Sequence, residues 1–149
     1  MKVVIAGGTG HVGRILSRHF HPNNEVVVLS RRPGSSPWRT VIWDGRTQGE
    51  WTSEVDGADV VINLAGRSVN CRYNARNRDE ILRSRVDSTR AVGEAVARAK
   101  HPPSVWLQAS TATIYAHMLP GRDNLAAEAW EKFQNENREP KPAAKGIVQ

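Results

Sequence analysis

The stretch Lys2-Val3-Val4-Ile5-Ala6-Gly7-Gly8-Thr9-Gly10-His11-Val12-Gly13 holds most of the information about this fold. A short β-branched run that stops at a glycine pair reads as a buried parallel strand entering a turn. From His11 onward, Val12, Ile15, Leu16, His19 and Phe20 recur at spacings of three and four, which predicts a helix with one apolar face toward the sheet. Glycines at 7, 10 and 13 therefore lie between a strand and a helix, and that context separates them from a stray glycine cluster. Gly7 is expected to take the positive φ of the turn, Gly10 to let a ligand approach the backbone, and Gly13 to permit close packing of helix on strand.

Working outward, Glu25 to Ser30 is a second strand after the helix-ending Pro22-Asn23-Asn24. Thr40 to Trp43 and Asp59 to Leu64 are a third and a fourth, joined by a polar connection that includes Trp51. A long helix is expected from about Arg76 to Lys100, with Leu82, Val86, Thr89, Val92 and Val96 on one face, and His101-Pro102-Pro103 marks its end. Ser104 to Ala109 is the fifth strand. Strands alternating with helices predict an α/β fold of Rossmann type, a doubly wound parallel sheet in the order 3-2-1-4-5. The domain is read as residues 1–117. Residues 118–149 form a polar tail with a helix over about 124–136 and a mobile end.

In such a fold the loop Gly7, Gly8, Thr9, Gly10, His11, Val12 and Gly13 offers free amides and the positive end of a helix to a diphosphate. The bound group is then a nicotinamide dinucleotide, and the end of the second strand selects which one. An acidic residue there would accept from a ribose 2′-hydroxyl, whereas basic residues suit a 2′-phosphate. Here the residues are Ser30-Arg31-Arg32, and Arg31 and Arg32 make NADP the preferred cofactor over NAD.

The totals agree with this picture. With 149 residues one domain with a real core is expected, and 39% apolar against 24% charged residues is a globular balance. No apolar run approaches the roughly 20 residues of a membrane span, and the N-terminus reads as a strand and not as a secretion signal, so a cytoplasmic protein is expected. The single Cys71 has no partner for an internal disulfide, which fits a reduced compartment. A net charge of +6 favours anionic partners in general, so position has to decide among them.

With these motifs in place, the sequence resembles an extended short-chain dehydrogenase/reductase over residues 1 to about 117. It is similar above all to an epimerase-like subgroup related to nucleotide-sugar epimerases and dehydratases. Asp59-Val60-Val61-Ile62-Asn63-Leu64-Ala65-Gly66, Ser84-Arg85 and Ser110-Thr111-Ala112-Thr113-Ile114-Tyr115 carry the resemblance. It implies Asp44 near the adenine, Ala65 and Gly66 lining the cofactor cleft, and Thr111 as the catalytic Ser/Thr beside a small-molecule substrate. It also implies a long helix suited to homodimer pairing.

Two departures stand out. The Tyr-x-x-x-Lys pair of such enzymes is missing, since Tyr73 and Tyr115 are followed four positions on by Asn77 and Leu119. Arg85 stands where extended members often carry an asparagine. Extended members are also about twice as long, with substrate contacts drawn largely from the second half. A non-catalytic NADP-binding module is therefore kept beside the enzyme reading.

Other signals rank lower. His11, His19, His21, His101 and His117 are scattered and do not form a metal-ligand cluster, and no metal is expected. Arg72, Arg76, Arg78, Arg83, Arg85 and Arg90 are interleaved with Asp79, Glu80 and Asp87, which favours a solvated, self-paired helix face over a nucleic-acid binder. The tryptophans at 38, 43, 51, 106 and 130 read as packing residues, since no basic-aromatic array accompanies them.

Overall fold

A computed structural model describes residues 1–72 and 74–109. Met1–Ala109 is one compact unit. Five parallel strands, β1 (Lys2–Ala6), β2 (Glu25–Ser30), β3 (Arg39–Ile42), β4 (Val60–Asn63) and β5 (Val105–Gln108), form a single sheet in the order β3-β2-β1-β4-β5. This is the order the sequence predicts. The third strand starts one residue early and ends one early, and the fourth and fifth are each trimmed by a residue at both ends. Helix α1 spans His11–Phe20, α2 Thr52–Val55 and α3 Ala75–Arg98.

Alternation along each strand sends side chains to two apolar layers. Val4, Ala6, Val27, Leu29 and Val61 meet Trp43, Trp51, Val55, Ala91, Val92 and Ala95 on the α2 and α3 side. Val3, Ile5, Val26, Val28 and Ile62 meet Leu16, Phe20 and Trp38 on the α1 side. Both faces of the inner strands are thus covered, as parallel sheets require.

The helical faces differ from the expectation. In α1, Gly13 and Ser17 are buried and Leu16 and Phe20 pack on the sheet, whereas Val12 and Ile15 are 55% and 54% exposed. The cause is Gly13. A Cβ there would lie 2.4 Å from Cα of Gly8, so the helix turns its glycine inward and carries Val12 and Ile15 away. In α3 the buried seam is Ile81, Ser88, Ala91, Val92 and Ala95, and Leu82 and Val86 face out. Small residues allow that helix to approach the sheet closely, a demand that apolar periodicity does not report.

The connection between β3 and β4 is tightly tied. Trp43 and Trp51 are buried, their rings 4.7 Å apart, and both indole N–H groups donate to the carbonyl of Thr47 at 3.1 and 2.9 Å. At the opposite end of the strands, Glu54 is buried between Lys2 (3.3 Å) and Arg39 (2.7 Å), which fastens α2 to the starts of β1 and β3. Among the described residues, no helix is long and apolar enough to cross a membrane.

Candidate functional site

β1 connects to β2 on one side of itself and pairs with β4 on the other, so a crevice opens past the ends of β1 and β4, where strand order reverses. The glycine loop stands at that point. Gly7 has φ of +75°, the left-handed conformation expected of it. A Cβ at Gly7 would lie 2.9 Å from the backbone of Ala65, so the turns after β1 and β4 abut directly. Gly8 is equally constrained, its missing Cβ falling 2.8 Å from the side chain of Val28. Gly10 is different: among the described residues a Cβ there would meet only the carbonyl of Gly7, at 3.5 Å, and the space in front of it is otherwise open to them.

Gly10 is the residue before α1 and gives it no side-chain cap. Arg14 N–H donates to Gly10 C=O at 3.0 Å, and the amides of His11, Val12 and Gly13 precede that first bond. Leading amides of a helix have no partner within it and carry its positive end, which is the requirement for seating an anion. Gly13 works by packing on Gly8 in the turn itself, a correction to the expected contact with the strand. Gly13→Ala forces apart two backbones that have no room to give. We expect a stability loss of at least about 2 kcal/mol by urea denaturation, and an unchanged midpoint would contradict this packing.

The end of β2 is organised by Ser30, which sequence reasoning used only as a neighbour of the arginines. Its buried hydroxyl lies 3.4 Å from Thr9 Oγ1 and accepts from Arg32 N–H at 3.3 Å. The glycine loop and the Arg31-Arg32 turn are thereby joined, and both arginines are exposed. Trp43 N–H donates to Ser30 C=O at 2.9 Å and brings the end of β3, with Asp44, to the same edge.

Asp44 closes the turn that follows. Its Oδ1 accepts from the N–H groups of Arg46 and Thr47 at 2.8 and 2.9 Å, and its Oδ2 from the Thr47 hydroxyl at 2.7 Å. Partial burial opposes ionisation, but the Thr47 and Arg46 donors outweigh it and hold the carboxyl below the ordinary aspartate range. Stability from this group is complete above the unfolded value near about 3.9 and is lost as pH falls through the lower folded value. Asp44→Asn should therefore flatten the acid limb of a melting-temperature profile between pH 5 and 2, and an unaltered limb would refute the assignment.

Ala65 and Gly66 form the turn after β4. Ala65 N–H donates to Asn63 Oδ1 at 3.0 Å, and its C=O accepts from Ser88 Oγ at 3.2 Å. Arg85 lies against Gly66, where a Cβ would fall 2.9 Å from its guanidinium, and its buried Nε has no hydrogen-bond partner among the described residues. The sequence marked Arg85 as part of the resemblance, as a basic helix residue and as a departure from the usual asparagine; its packing against Gly66 emerges only from the structure. Four other arginines of the helix pair along it: Arg76 with Glu80, Arg83 with Asp79, Arg90 with Asp87 and Arg98 with Glu94. Arg67 pairs with Glu80 and donates to Asn77, which draws the loop after Gly66 onto α3. Thr111, Tyr73, Tyr115, His117, the domain boundary at 117 and the tail helix lie outside the described residues.

The observed strand order, with a glycine turn at its point of reversal, defines a Rossmann-type fold of the dinucleotide-binding kind. The chain belongs to the NAD dependent epimerase/dehydratase family, whose model matches residues 3–140. It is 33% identical over 123 residues to the epimerase family protein SDR39U1 of Bos taurus, a match covering 80% of this chain and 40% of that one. The crystal structure of human SDR39U1 with NADPH is similar at a TM-score of 0.61 and 31% identity, over 72% of this chain and 36% of that one. The UDP-N-acetylglucosamine 4-epimerase of Bacillus cereus shares the fold at 20% identity and a TM-score of 0.59, over 92% of this chain and 50% of that one. The chain thus spans less than half the length of the SDR39U1 proteins it matches.

Proposed function

We propose that this chain binds a nicotinamide dinucleotide, NADP in preference to NAD, across the crevice at the ends of β1, β2 and β4. The observation that carries the reading is the uncapped start of α1 behind an open Gly10, set beside a strand end that presents Arg31 and Arg32. The residues fit the cofactor's parts. The amides of His11, Val12 and Gly13 suit the diphosphate, Arg31 and Arg32 the 2′-phosphate, and Ala65 and Gly66 the half of the crevice over β4. The similarity to an NADPH-bound relative supports the same choice.

When bound, the nicotinamide ring supplies reversible hydride chemistry. The chain's own contribution is to seat and orient it. In the family reading, Thr111 hydrogen-bonds the oxygen of a sugar-nucleotide-like substrate, and the protein is an epimerase/dehydratase-type oxidoreductase. A second reading, a non-catalytic NADP-binding module, is favoured by one specific observation: neither Tyr73 nor Tyr115 has a lysine four residues on. Retained binding without hydride exchange would select it.

The test is calorimetric titration with NADPH and NADH side by side. NADPH is expected to bind at least about tenfold more tightly, the worth of one charge-assisted hydrogen bond. Equal affinities, or preference for NADH, would remove the role given to Arg31 and Arg32. Failure of both to bind would remove the cofactor reading altogether.

A further inference from the structure

The Ala65 turn is held from beneath by three polar side chains that none of the readings above uses for function. Asn63 and Ser88 are fully buried, at 0% exposure. Asn63 Nδ2 donates to Gln108 Oε1 at 2.9 Å and lies 3.5 Å from Ser88 Oγ, while its Oδ1 takes the N–H of Ala65. Ser88 Oγ lies 3.2 Å from Ala65 C=O and 3.1 Å from Arg85 C=O, so one hydroxyl proton serves both. Both backbone groups of Ala65 are therefore fixed by side chains from β4 and α3, and Gln108 at the end of β5 fixes Asn63 in turn.

Buried polar groups cost free energy unless they are bonded, and here the side chains and the Ala65 backbone satisfy one another. What the polar set adds is a defined position for the backbone of one residue, Ala65, and with it the two peptides it joins. That backbone is the one a Cβ at Gly7 would meet at 2.9 Å. The Ala65 turn also lies on the β4 side of the crevice, away from the β2 end that reads the adenosine ribose, and so faces the nicotinamide half of a dinucleotide.

We infer that Asn63, Ser88 and Gln108 are positioning residues for the nicotinamide half of the cofactor, acting through Ala65 and touching no ligand themselves. This rests on the dinucleotide reading above. The test uses the full chain with Ser88→Ala and, separately, Gln108→Leu, a change at an exposed position that removes only the outer partner of Asn63; urea denaturation of each variant checks that it is folded. Each is titrated with NADPH and with adenosine 2′,5′-bisphosphate, which carries the adenosine end alone.

Both variants should bind NADPH about fivefold more weakly, the worth of one neutral hydrogen bond, and bind the bisphosphate as the wild type does. A purely structural role would weaken the two ligands in step. Parallel loss, or no loss for NADPH in the Gln108→Leu variant, overturns the inference while leaving the cofactor reading intact. Wild-type protein that binds neither ligand overturns the cofactor reading instead.

Discussion

Gly10→Val is expected to lower the affinity for NADPH by at least about a hundredfold while the protein stays folded, a loss near 3 kcal/mol of binding. The two halves of this expectation come from one geometry. Gly10 has φ of −70° and ψ of 173°, ordinary extended backbone that a β-branched residue adopts readily. Among the described residues its absent Cβ meets nothing closer than Gly7 C=O at 3.5 Å, so the loop and the helix leave room for the new side chain. The valine instead fills the approach to the amides of His11, Val12 and Gly13. Glycine is a modestly better residue than valine before a helix, so a stability cost of about 1 kcal/mol or less is expected from thermal or urea denaturation. A folded variant with wild-type affinity would contradict the placement of the diphosphate.

The double substitution Arg31→Ala with Arg32→Ala should cost NADPH at least about thirtyfold in affinity and leave NADH within about twofold. Charge-assisted hydrogen bonds to a phosphate are worth roughly 1.5–3 kcal/mol, and one or two are removed. NADH has no 2′-phosphate to lose. Both side chains are exposed and form no ion pair among the described residues, so the fold has little stake in them. Added salt should shrink the difference between wild type and variant, because the contact lies in solvent. Parallel loss of NADH and NADPH would place the arginines on the shared diphosphate and end their role in discrimination.

Much of this was readable before any coordinates. Gly7, Gly10 and Gly13 announce a strand, a turn and a helix by their spacing, and the strand order follows from the βαβ alternation and the handedness of crossovers. The position of Arg31 and Arg32 just past β2 is legible because the strand's end follows from the βαβ pattern. What escaped is tertiary. Apolar periodicity placed Val12 and Ile15 inside α1, but the contact of Gly13 with Gly8 turns them out. It likewise ranked Leu82 and Val86 above Ser88 and Ala91, although close helix-to-sheet approach needs the smaller pair. Ser30, Ser88 and Gln108 were silent because a hydroxyl or amide acquires meaning only from partners distant in the chain, as Gln108 does from Asn63, 45 residues away. The resemblance singled out Asp44 as a residue near the adenine, and its turn-closing bonds to Arg46 and Thr47 emerged only with the loop geometry.

The central claim concerns the amides at the start of α1, and backbone ¹H–¹⁵N spectra recorded during an NADPH titration test it most directly. The resonances of Gly10, His11, Val12 and Gly13 should move first and farthest, with the Ala65 amide following. Saturable shifts elsewhere in the spectrum, with these four unmoved, would contradict it.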